Sequence, residues 1–334
     1  MGMYLIRRLL LMVFSLLGLL IMTFVISHVI PADPARMVAG RWATEEQVQA
    51  VRKQLGLDKP VLHQFAIYLK NLLKGDLGKS ILSRRPIIEE LKDYFPPTLE
   101  LVFFAMLLNI SLAIPLGVIS ASRKGIVDGL ARLLAVFGAA VPTFWAGLIM
   151  QIIFYGILHV LPAGGRLDVL MTPPPKITGM FLLDSLITGY WKTLADALLH
   201  LIMPALTLGL SFVAVVTRIT RSSMLEVLNS DFVKTARAKG LPESVVVWRH
   251  ALRNALLPSL TVIGMQLGWM MGGTVLIETV FSWGGLGFWA VAAVRQNDFP
   301  VIMAITMVIS LTFMIANLLV DILYVILDPR IKYS

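Results

Sequence analysis

The sequence LLLMVFSLLGLLIMTFVISHVI, at Leu9–Ile30, contains no Lys, Arg, Asp or Glu over 22 residues. A helix needs roughly 20 mainly apolar residues to cross the hydrocarbon core of a bilayer. The run is longer than the apolar part of a cleaved signal peptide, which has about 7–15 residues, and no A-x-A cleavage site follows it. Leu9–Ile30 therefore predicts a retained membrane-spanning helix.

The rest of the chain is similarly apolar. Of its 334 residues 57% are hydrophobic and 15% are charged, whereas a soluble domain carries about 25% charged residues. The sequence predicts an all-α polytopic membrane protein with about six transmembrane helices, and kinks at prolines inside the spans. The five further spans are about Thr98–Ser120, a segment within Leu133–Val160, about Ala197–Val216, Pro258–Phe281 and Val301–Ile326, and the prolines are Pro115, Pro142 and Pro204.

The distribution of Lys and Arg predicts the orientation. If the N-terminus is inside, the cytoplasmic segments hold 14 of the 29 Lys and Arg residues and the two shorter outside loops hold four. This excess agrees with the positive-inside rule, from which a long outside segment is largely exempt. Both termini are then cytoplasmic. The chain divides into an N-terminus with the first helix (1–30), an extracytoplasmic segment (31–97) and a transmembrane core (98–334) with a cytoplasmic loop at 222–257.

The extracytoplasmic segment contains signals for two short helices. Thr44 and Gln47 fit a capping box ahead of a helix that ends near Gly56. Pro60 suits the first position of a second helix, and Gly75 ends the apolar pattern that follows it. We expect a small helical subdomain here.

The cytoplasmic loop has the clearest helix start and stop signals. Ser230 or Asp231 can cap a short helix through Lys239, and Gly240 can supply a left-handed residue at its end. Pro242 suits the first turn of a second helix. The pattern predicts an elbow of two helices joined at a glycine, on the cytoplasmic face of the membrane.

Residue chemistry alone allows two interpretations of this elbow. A basic loop next to the membrane can hold orientation and contact anionic lipid. A docking element for another protein is favoured by Ala236 and Ala238, because small residues between the basic ones permit close helix contact. The defined turn at the glycine also favours docking, since lipid binding requires only charge.

The segments SDFVKTARAKG at 230–240 and HALRNALLP at 250–258, which include the elbow, resemble the EAA loop of ABC-importer permeases, in the variant found in oligopeptide and dipeptide permeases. Within this loop Lys234 stands in place of Glu, Thr235 stands in place of the first Ala, and the spacing from Gly240 to Leu257-Pro258 is longer than usual. Outside the loop, Gly284 stands where the peptide permeases usually have Pro. The resemblance extends over essentially the whole chain. It is carried by RRLLLM at 7–12, IPADP at 30–34, LGLDKP at 55–60, GDLGKS at 75–80, TRSSMLEVL at 220–228, SDFVKTARAKG at 230–240, HALRNALLP at 250–258, ETVFSWGGLG at 278–287 and NLLVDILYVILDPRI at 317–331.

The resemblance implies a type I ABC importer permease fold in the inner membrane of a bacterium or archaeon. Such a permease pairs with a second homologous permease, binds two ABC ATPase subunits in the cytoplasm and receives substrate from an extracytoplasmic binding protein. Membrane lipid is its other partner, and no nucleic acid is expected. The implied substrates are dipeptides or oligopeptides, with nickel, glutathione and oligosaccharides as alternatives. ATP and Mg would lie on the partner ATPases, so this chain is expected to have no catalytic residue and no cofactor.

The resemblance also makes the short helix of the elbow the expected ATPase-coupling element. Its apolar residues are expected to pack against the ATPase, its basic residues to orient the contact, and its glycine to make the turn. The set is Asp231, Phe232, Val233, Lys234, Thr235, Ala236, Arg237, Ala238, Lys239 and Gly240.

Polar residues of the fifth predicted span are candidates for the wall of a translocation path. Gln266, Thr274 and Glu278 lie within this span, Glu278 close to its end, and polar side chains inside a span are costly and usually face a cavity or another helix. The glycines of the same span equally indicate close contact between helices. Both interpretations remain open.

Several other kinds of site are not supported by the sequence. GDLGKS at 75–80 is not a phosphate loop, because Leu73 occupies the position that requires glycine. The histidines have no metal-ligand spacing, so no metal site is expected. The chain has no cysteine, which excludes disulfides and thiolate chemistry.

Other classes of membrane protein fit less well. An ion-coupled secondary transporter usually needs ionisable groups near the middle of the bilayer, and an intramembrane enzyme needs a nucleophile and a base at that depth. A structural scaffold would not explain the elbow. The acidic residues that could serve an ion-coupled transporter all lie near the predicted ends of spans and not at the middle of the bilayer. They are Glu100, Asp196, Glu278 and Asp321.

Overall fold

The structure, a computed structural model, describes residues 2–29, 34–40, 42–54, 56–122, 129 and 141–327. All regular elements of this part are helices, which confirms the all-α prediction. They are α1 (Gly2–Val29), α2 (Pro34–Ala39), α3 (Glu45–Gln54), α4 (Val61–Leu73), α5 (Ile87–Ser122), α6 (Thr143–Met150), the π-helix π1 (Gln151–Ile157), α7 (Phe181–Thr188), α8 (Trp191–Leu228), α9 (Asp231–Ala238), α10 (Glu243–Val245), the π-helix π2 (Val246–Ala251), α11 (Leu252–Val280), α12 (Leu286–Arg295) and α13 (Phe299–Leu327).

Within the described part, five helical stretches are long and apolar enough to cross a membrane. They correspond to the first, second, fourth, fifth and sixth predicted spans. The third prediction begins at residues 133–140, which lie outside the described residues, and continues into the apolar stretch Thr143–Ile157. Pro142 precedes α6 and has an extended backbone, so it begins a helix where a kink was expected.

Helices α5 and α8 are much longer than the spans that the sequence predicted at their positions. Helices α5 and α8 have 36 and 38 residues, which corresponds to about 54–57 Å at a rise of about 1.5 Å per residue. The hydrocarbon core of a bilayer is only about 30 Å thick. Both helices therefore extend past it, and the apolar window alone could not locate their ends. Pro115 and Pro204 do lie inside these two helices, as expected.

Contacts between residues divide the chain into two compact units, residues 1–95 with 288–311 and residues 96–287 with 312–334. The first unit contains the predicted helical subdomain. The Thr44 N–H donates to Gln47 Oε1 at 3.0 Å, and the Gln47 N–H donates to Thr44 Oγ1 at 3.4 Å. This reciprocal pair is the capping box that the sequence predicted at the start of α3.

Helix α4 of the subdomain packs on the first helix. The ring of Phe24 in α1 lies 5.1 Å from that of Phe65 and 6.2 Å from that of Tyr68, measured between ring centroids. Helix α4 begins at Val61, one residue after Pro60. The apolar face that the sequence predicted for this helix is therefore used within the unit, against the end of α1.

The GDLGKS segment also has a structural role inside the first unit. Gly75 and Gly78 have φ values of +79° and +83°, which glycine adopts without steric cost. The hydroxyl of Ser80 then donates to the carboxylate of Asp298 at 2.6 Å, and Asp298 is only 2% exposed. The turn is thereby fastened to the residue that precedes α13.

The long helices of the second unit approach one another at small residues. Helix α8 packs most extensively against α11. A Cβ on Gly209 of α8 would lie 2.8 Å from the carbonyl oxygen of Ala105 in α5, closer than real Cβ atoms come to other heavy atoms. A Cβ on Gly264 of α11 would overlap the side chain of Val320 in α13. These glycines serve close helix packing, as small residues do in membrane proteins.

Candidate functional site

The cytoplasmic loop forms the elbow that the sequence predicted. Helix α9 runs from Asp231 to Ala238, Gly240 follows with a φ of +74°, and Pro242 immediately precedes α10. The N–H of Gly240 donates to Arg237 O at 2.9 Å, and the N–H of Leu241 donates to Ala236 O at 3.4 Å. This pair of bonds is the Schellman motif that ends a helix at a left-handed residue.

The start of α9 differs in detail from the prediction. Ser230 precedes the helix, but its hydroxyl donates to Val227 O at 2.6 Å and makes no side-chain cap. Asp231 is the first helical residue, and its carboxylate pairs with the Lys234 ammonium at 2.8 Å. An acidic residue in the first turn is favourable because the helix N-terminus carries partial positive charge.

One face of α9 is buried inside the chain. Val233 is 0% exposed and Ala236 is 8% exposed. Both were expected to pack against an ATPase, but here they pack against the chain's own core, because this apolar face of the short helix turns toward it. The cluster around them joins Val118 and Ala121 of α5, Met224 of α8, Val246, Val247 and Ala251 of π2, and Ala255 of α11.

The opposite face of the elbow is exposed. It presents Phe232, 45% exposed, and Leu241, 37% exposed, at the two ends of the short helix. Between them lie small and polar side chains that allow close approach of another surface. The exposed members are Asp231, Phe232, Lys234, Thr235, Arg237, Ala238, Lys239, Gly240 and Leu241.

An ion pair spans the turn of the elbow. Arg237 donates through Nη2 to Glu243 Oε1 at 2.7 Å and through Nε to Glu243 Oε2 at 3.1 Å. Two parallel bonds of this kind fix both the distance and the relative orientation of the two groups. Arg237 was predicted to orient contact with a partner, and its pairing with Glu243 was not predicted. The six-residue separation across a Gly-Leu-Pro turn was the available signal.

The three polar residues of α11 proposed for a translocation path are all buried within the chain. Gln266, Thr274 and Glu278 are 5%, 1% and 0% exposed. Gln266 accepts from Asn109 Nδ2 at 2.8 Å and donates to Phe212 O at 3.2 Å, so it links three helices. In this chain Gln266 therefore serves contact between helices, which is one of the two interpretations that the sequence allowed.

Glu278 and Thr274 make similar internal contacts. The hydroxyl of Thr98 in α5 donates to Glu278 Oε1 at 2.7 Å, and the N–H of Leu286 donates to the Thr98 oxygen at 2.7 Å. Thr274 donates to the backbone oxygen of Met271 at 2.9 Å in its own helix. The Thr98 hydroxyl of α5 thus joins the end of α11, through Glu278, to the start of α12, through the N–H of Leu286.

A different face of α11 is open. Met265, Trp269 and Leu276 are 46%, 70% and 53% exposed, and Gly272 lies between them with no atom within 4 Å of its Cβ position. Their spacing places them on one side of the helix. Of these four residues only Gly272 was among the candidates that the sequence suggested for a path wall. The three large apolar side chains were not predicted there, although their helical spacing is visible in the sequence.

The loop before α7 is fixed by two buried carboxylates. Glu100 accepts from Arg166 Nη2 at 2.7 Å and from the N–H of Leu182 at 2.8 Å. The Arg166 guanidinium also lies 3.7 Å from the centroid of the Phe181 ring. Burial lowers the pKa of Arg166 and the neighbouring Glu100 opposes that shift, so the pair places the loop without exposing charge.

Asp184 is the second carboxylate. It is 1% exposed and accepts from the N–H groups of Ile177, Thr178 and Gly179 at 3.2, 2.7 and 2.9 Å. Burial alone would raise the pKa of this carboxyl, but the hydrogen bonds favour its charged form and hold the pKa below its usual value. The charged carboxylate of Asp184 therefore stabilises the folded loop at residues 177–179.

Two family profiles together match most of the chain. The binding-protein-dependent transport system inner membrane component matches residues 113–333, which include the elbow and α11. The N-terminal part of the same kind of transport component matches residues 1–102. The chain belongs to this family. Its resemblance to importer permeases, inferred from the elbow and the segments around it, is thereby confirmed.

Individual relatives match over nearly their full length. A probable D,D-dipeptide transport system permease of Escherichia coli K12 is 48% identical over 94% of this chain and 93% of its own. A dipeptide transport system permease of Alkalihalophilus pseudofirmus is 42% identical over 99% of both chains. A glutathione transport system permease of Pectobacterium atrosepticum is 40% identical, again over 99% of both.

No metal site is found among the residues that the structure describes, where no three His, Asp or Glu side chains come close enough to hold an ion. His200, the buried histidine of α8, contacts the backbone oxygen of Asp196 through Nδ1 at 2.9 Å. This is a contact within one helix turn.

Proposed function

We propose that the chain is one membrane-spanning permease subunit of an ATP-driven importer of short peptides. Its family supports the role of an inner membrane component that works with a binding protein. The names of its relatives support peptide transport. The elbow is the observation that carries the ATP-driven part of the proposal.

The elbow is suited to transmit movement. Its buried face is packed into the ends of α5, α8 and α11, and its other face is open to a partner. Close-packed interiors are stiff and pass displacement on rather than absorbing it. A partner that moves the exposed face would therefore move three long helices together. Such an element can exchange two states when its partner binds them with different affinity.

The ATPase-docking surface that we propose is the exposed part of the predicted set. Phe232 and Leu241 would enter apolar depressions of the ATPase, with Thr235, Ala238 and Lys239 between them. Val233 and Ala236 would hold the elbow to its own chain by packing in the hydrophobic cluster. Gly240 makes the turn, since its φ of +74° is strained for other residues.

For the translocation path we propose the exposed face of α11, which the described elements of its own unit leave open. Met265, Trp269, Gly272 and Leu276 would lie at the boundary with a second permease, where an apolar wall can part and close. Gln266 and Glu278 would support this face from behind by joining α11 to α5.

The proposed arrangement in the membrane follows the sequence prediction. Both termini would lie in the cytoplasm of a bacterial or archaeal cell, residues 31–97 would lie outside, and residues 98–334 would form the permease core. The partners would be a second homologous permease, two ABC ATPases that bind ATP and Mg, and an extracytoplasmic binding protein. The elbow and the ATPases would then lie on the same side.

Peptides are proposed as substrate in preference to nickel or oligosaccharides. The three relatives described above carry the names D,D-dipeptide, dipeptide and glutathione transport permease, and glutathione is itself a short peptide. Selection among peptides would rest mainly with the binding protein, because the exposed face of α11 offers few polar groups for recognition.

Purification of the tagged chain in mild detergent tests the proposal when it is combined with uptake in cells that lack the chain. The expected result is co-purification of a second permease and P-loop ATPases, together with restored uptake of a labelled dipeptide but not of nickel. Recovery of the chain alone, with uptake that follows a proton or sodium gradient, would overturn it.

A further inference from the structure

The fork between Arg237 and Glu243 lies where the elbow bends. Arg237 is in the last turn of α9, and Glu243 is the first residue of α10. The residues between them include Gly240, which permits a wide range of backbone conformations. The Schellman bonds close the end of α9 but do not set the direction in which α10 leaves. A planar guanidinium that holds both oxygens of a carboxylate does set it.

Asp231, the acidic residue of the short helix, is paired with another basic residue, so the carboxylate that Arg237 binds is that of Glu243. Lys234 is paired with Asp231 inside α9 at 2.8 Å. Both nitrogens that Arg237 uses toward Glu243 lie within hydrogen-bonding distance, with side chains that are 42% and 59% exposed. An exposed ion pair usually contributes little to stability, except where its geometry is bidentate.

Contact with a partner would strengthen this pair. A surface that covers the elbow removes water from the fork, and the attraction between opposite charges grows as the local dielectric constant falls. The bend of the elbow would therefore be held most firmly in the docked state. That is the state in which movement has to pass from the partner to the long helices.

We propose that Arg237 and Glu243 are a positioning pair that fixes the angle between α9 and α10, and that Arg237 acts on Glu243 rather than on the ATPase. This inference rests on the proposed function, because the angle matters only if the elbow docks. It changes the assignment of Arg237 from a contact residue to an internal one. The docking contact then depends on Phe232, Leu241 and the side chains between them.

Charge exchange tests the pair in the complete, reconstituted transporter. The variants are Arg237→Glu, Glu243→Arg and the double exchange of both residues. The measurement is the amount of peptide moved per ATP hydrolysed, at equal amounts of assembled complex, so that a loss of assembly is not mistaken for a loss of coupling. Each single reversal is expected to lower this ratio about fivefold, and the double exchange to restore it to within about twofold.

Two further variants sharpen the result. Arg237→Lys keeps the charge but loses the fork, so an intermediate ratio is expected. Arg85→Glu is the matched control, because Arg85 also forms an exposed pair with a carboxylate, that of Asp93 at 3.2 Å, outside the elbow. This control is expected to leave the ratio unchanged.

The opposite pattern would overturn the inference. If Glu243→Arg is silent while Arg237→Glu is severe and the double exchange does not restore coupling, Arg237 contacts the ATPase directly. If the reversals do not assemble, the neutral variants Arg237→Gln and Glu243→Gln replace them. The double Gln variant should then lose no more than either single one, and additive losses would contradict the pairing. Failure of the proposed function is distinct, because the unaltered complex would then show no ATP-dependent uptake.

Discussion

Gly240 is the residue on which the shape of the elbow depends. Its φ is +74°, and no atom lies within 4 Å of the place where a Cβ would be. The cost of a substitution there is therefore conformational and not steric crowding by neighbours. For most residues a left-handed conformation costs roughly 1–2 kcal/mol, while Asn tolerates it better.

Gly240→Val is expected to abolish peptide uptake while the protein remains inserted, because a β-branched residue resists positive φ. Gly240→Asn is the matched control and should keep most of the uptake. The measurements are uptake in cells and the amount of chain in the membrane fraction. Normal uptake by the Val variant would contradict the role of the turn.

Glu278 is a second residue whose role can be tested. Its carboxylate accepts from Thr98 and lies where a Cβ on Gly285 would come within 2.7 Å of both oxygens. Glu278→Gln keeps an acceptor for Thr98 and removes the charge. It is expected to retain ATP-driven uptake, with a loss of stability of about 1 kcal/mol.

Peptide uptake into proteoliposomes, measured with and without a proton gradient, tests this prediction. ATP should drive uptake by the Gln variant, and the gradient should have no effect on either protein. Uptake that needs the gradient in the unaltered protein and is lost in the variant would favour a secondary transporter.

Single residues differ in how well their roles could be predicted from the sequence. Gly240 was predictable because a glycine that follows a short helix and closely precedes a proline is typical of a left-handed helix end. Val233 and Ala236 were not, because the pattern of a helix face does not say whether its partner lies in the same chain or in another. The internal hydrogen bond of Gln266 could not be predicted from the sequence either, since its amide neighbour Asn109 is 157 residues away along the chain.

The short helix α9 has a buried face and an exposed face. Two adjacent apolar residues, Val233 on the buried face and Phe232 on the exposed face, allow the two faces to be tested separately. Val233→Asp would bury an unpaired charge, which costs about 3–5 kcal/mol, so a marked loss of thermal stability is expected. Phe232→Asp changes a side chain that is 45% exposed. It should leave stability nearly unchanged but reduce retention of the ATPase on purification about tenfold.

Thermal unfolding and quantification of the co-purified ATPase separate these outcomes. Equal stability of the two variants would contradict the burial of Val233. Full retention of the ATPase by the Phe232 variant would remove that residue from the docking surface.

The loop before α7 should respond to acid through Asp184. Its folded pKa lies below the usual value, so its stabilisation is complete above the unfolded pKa of about 3.9 and is lost as pH falls through the folded pKa. Asp184→Asn should be less stable at pH 7 and should lose less of its stability on acidification. Unfolding temperatures measured from pH 7 to pH 3 test this, and parallel curves for the two proteins would contradict it.

At the level of elements, the sequence predicted the starts of the short helices α3, α4 and α9 better than the bounds of the long helices. The capping box at Thr44 and Gln47 is a local signal and was found. The ends of α5 and α8 lie beyond the apolar windows, in stretches where packing and not hydropathy maintains the helix. The π-helical segment Val246–Ala251 had no signal, because the same residues suit an α-helix.

For the whole molecule, composition and the order of apolar stretches were sufficient to predict an all-α membrane protein. The family could be inferred because many short segments occur in a fixed order along the chain. The surface for partners could not be derived in this way, since it depends on which apolar faces remain exposed after folding, as those of Phe232 and Trp269 do.

Site-specific crosslinking tests the docking of the elbow most directly. The chain has no cysteine, so single variants such as Phe232→Cys and Ala238→Cys can carry a photoreactive maleimide without background. Leu62→Cys, at a site that is 85% exposed in α4, is the control. The elbow positions are expected to crosslink a P-loop ATPase and to be unreachable from outside intact cells, while Leu62→Cys crosslinks no ATPase. Elbow positions that capture no ATPase in the assembled complex, or that are labelled from outside, would contradict the proposed coupling.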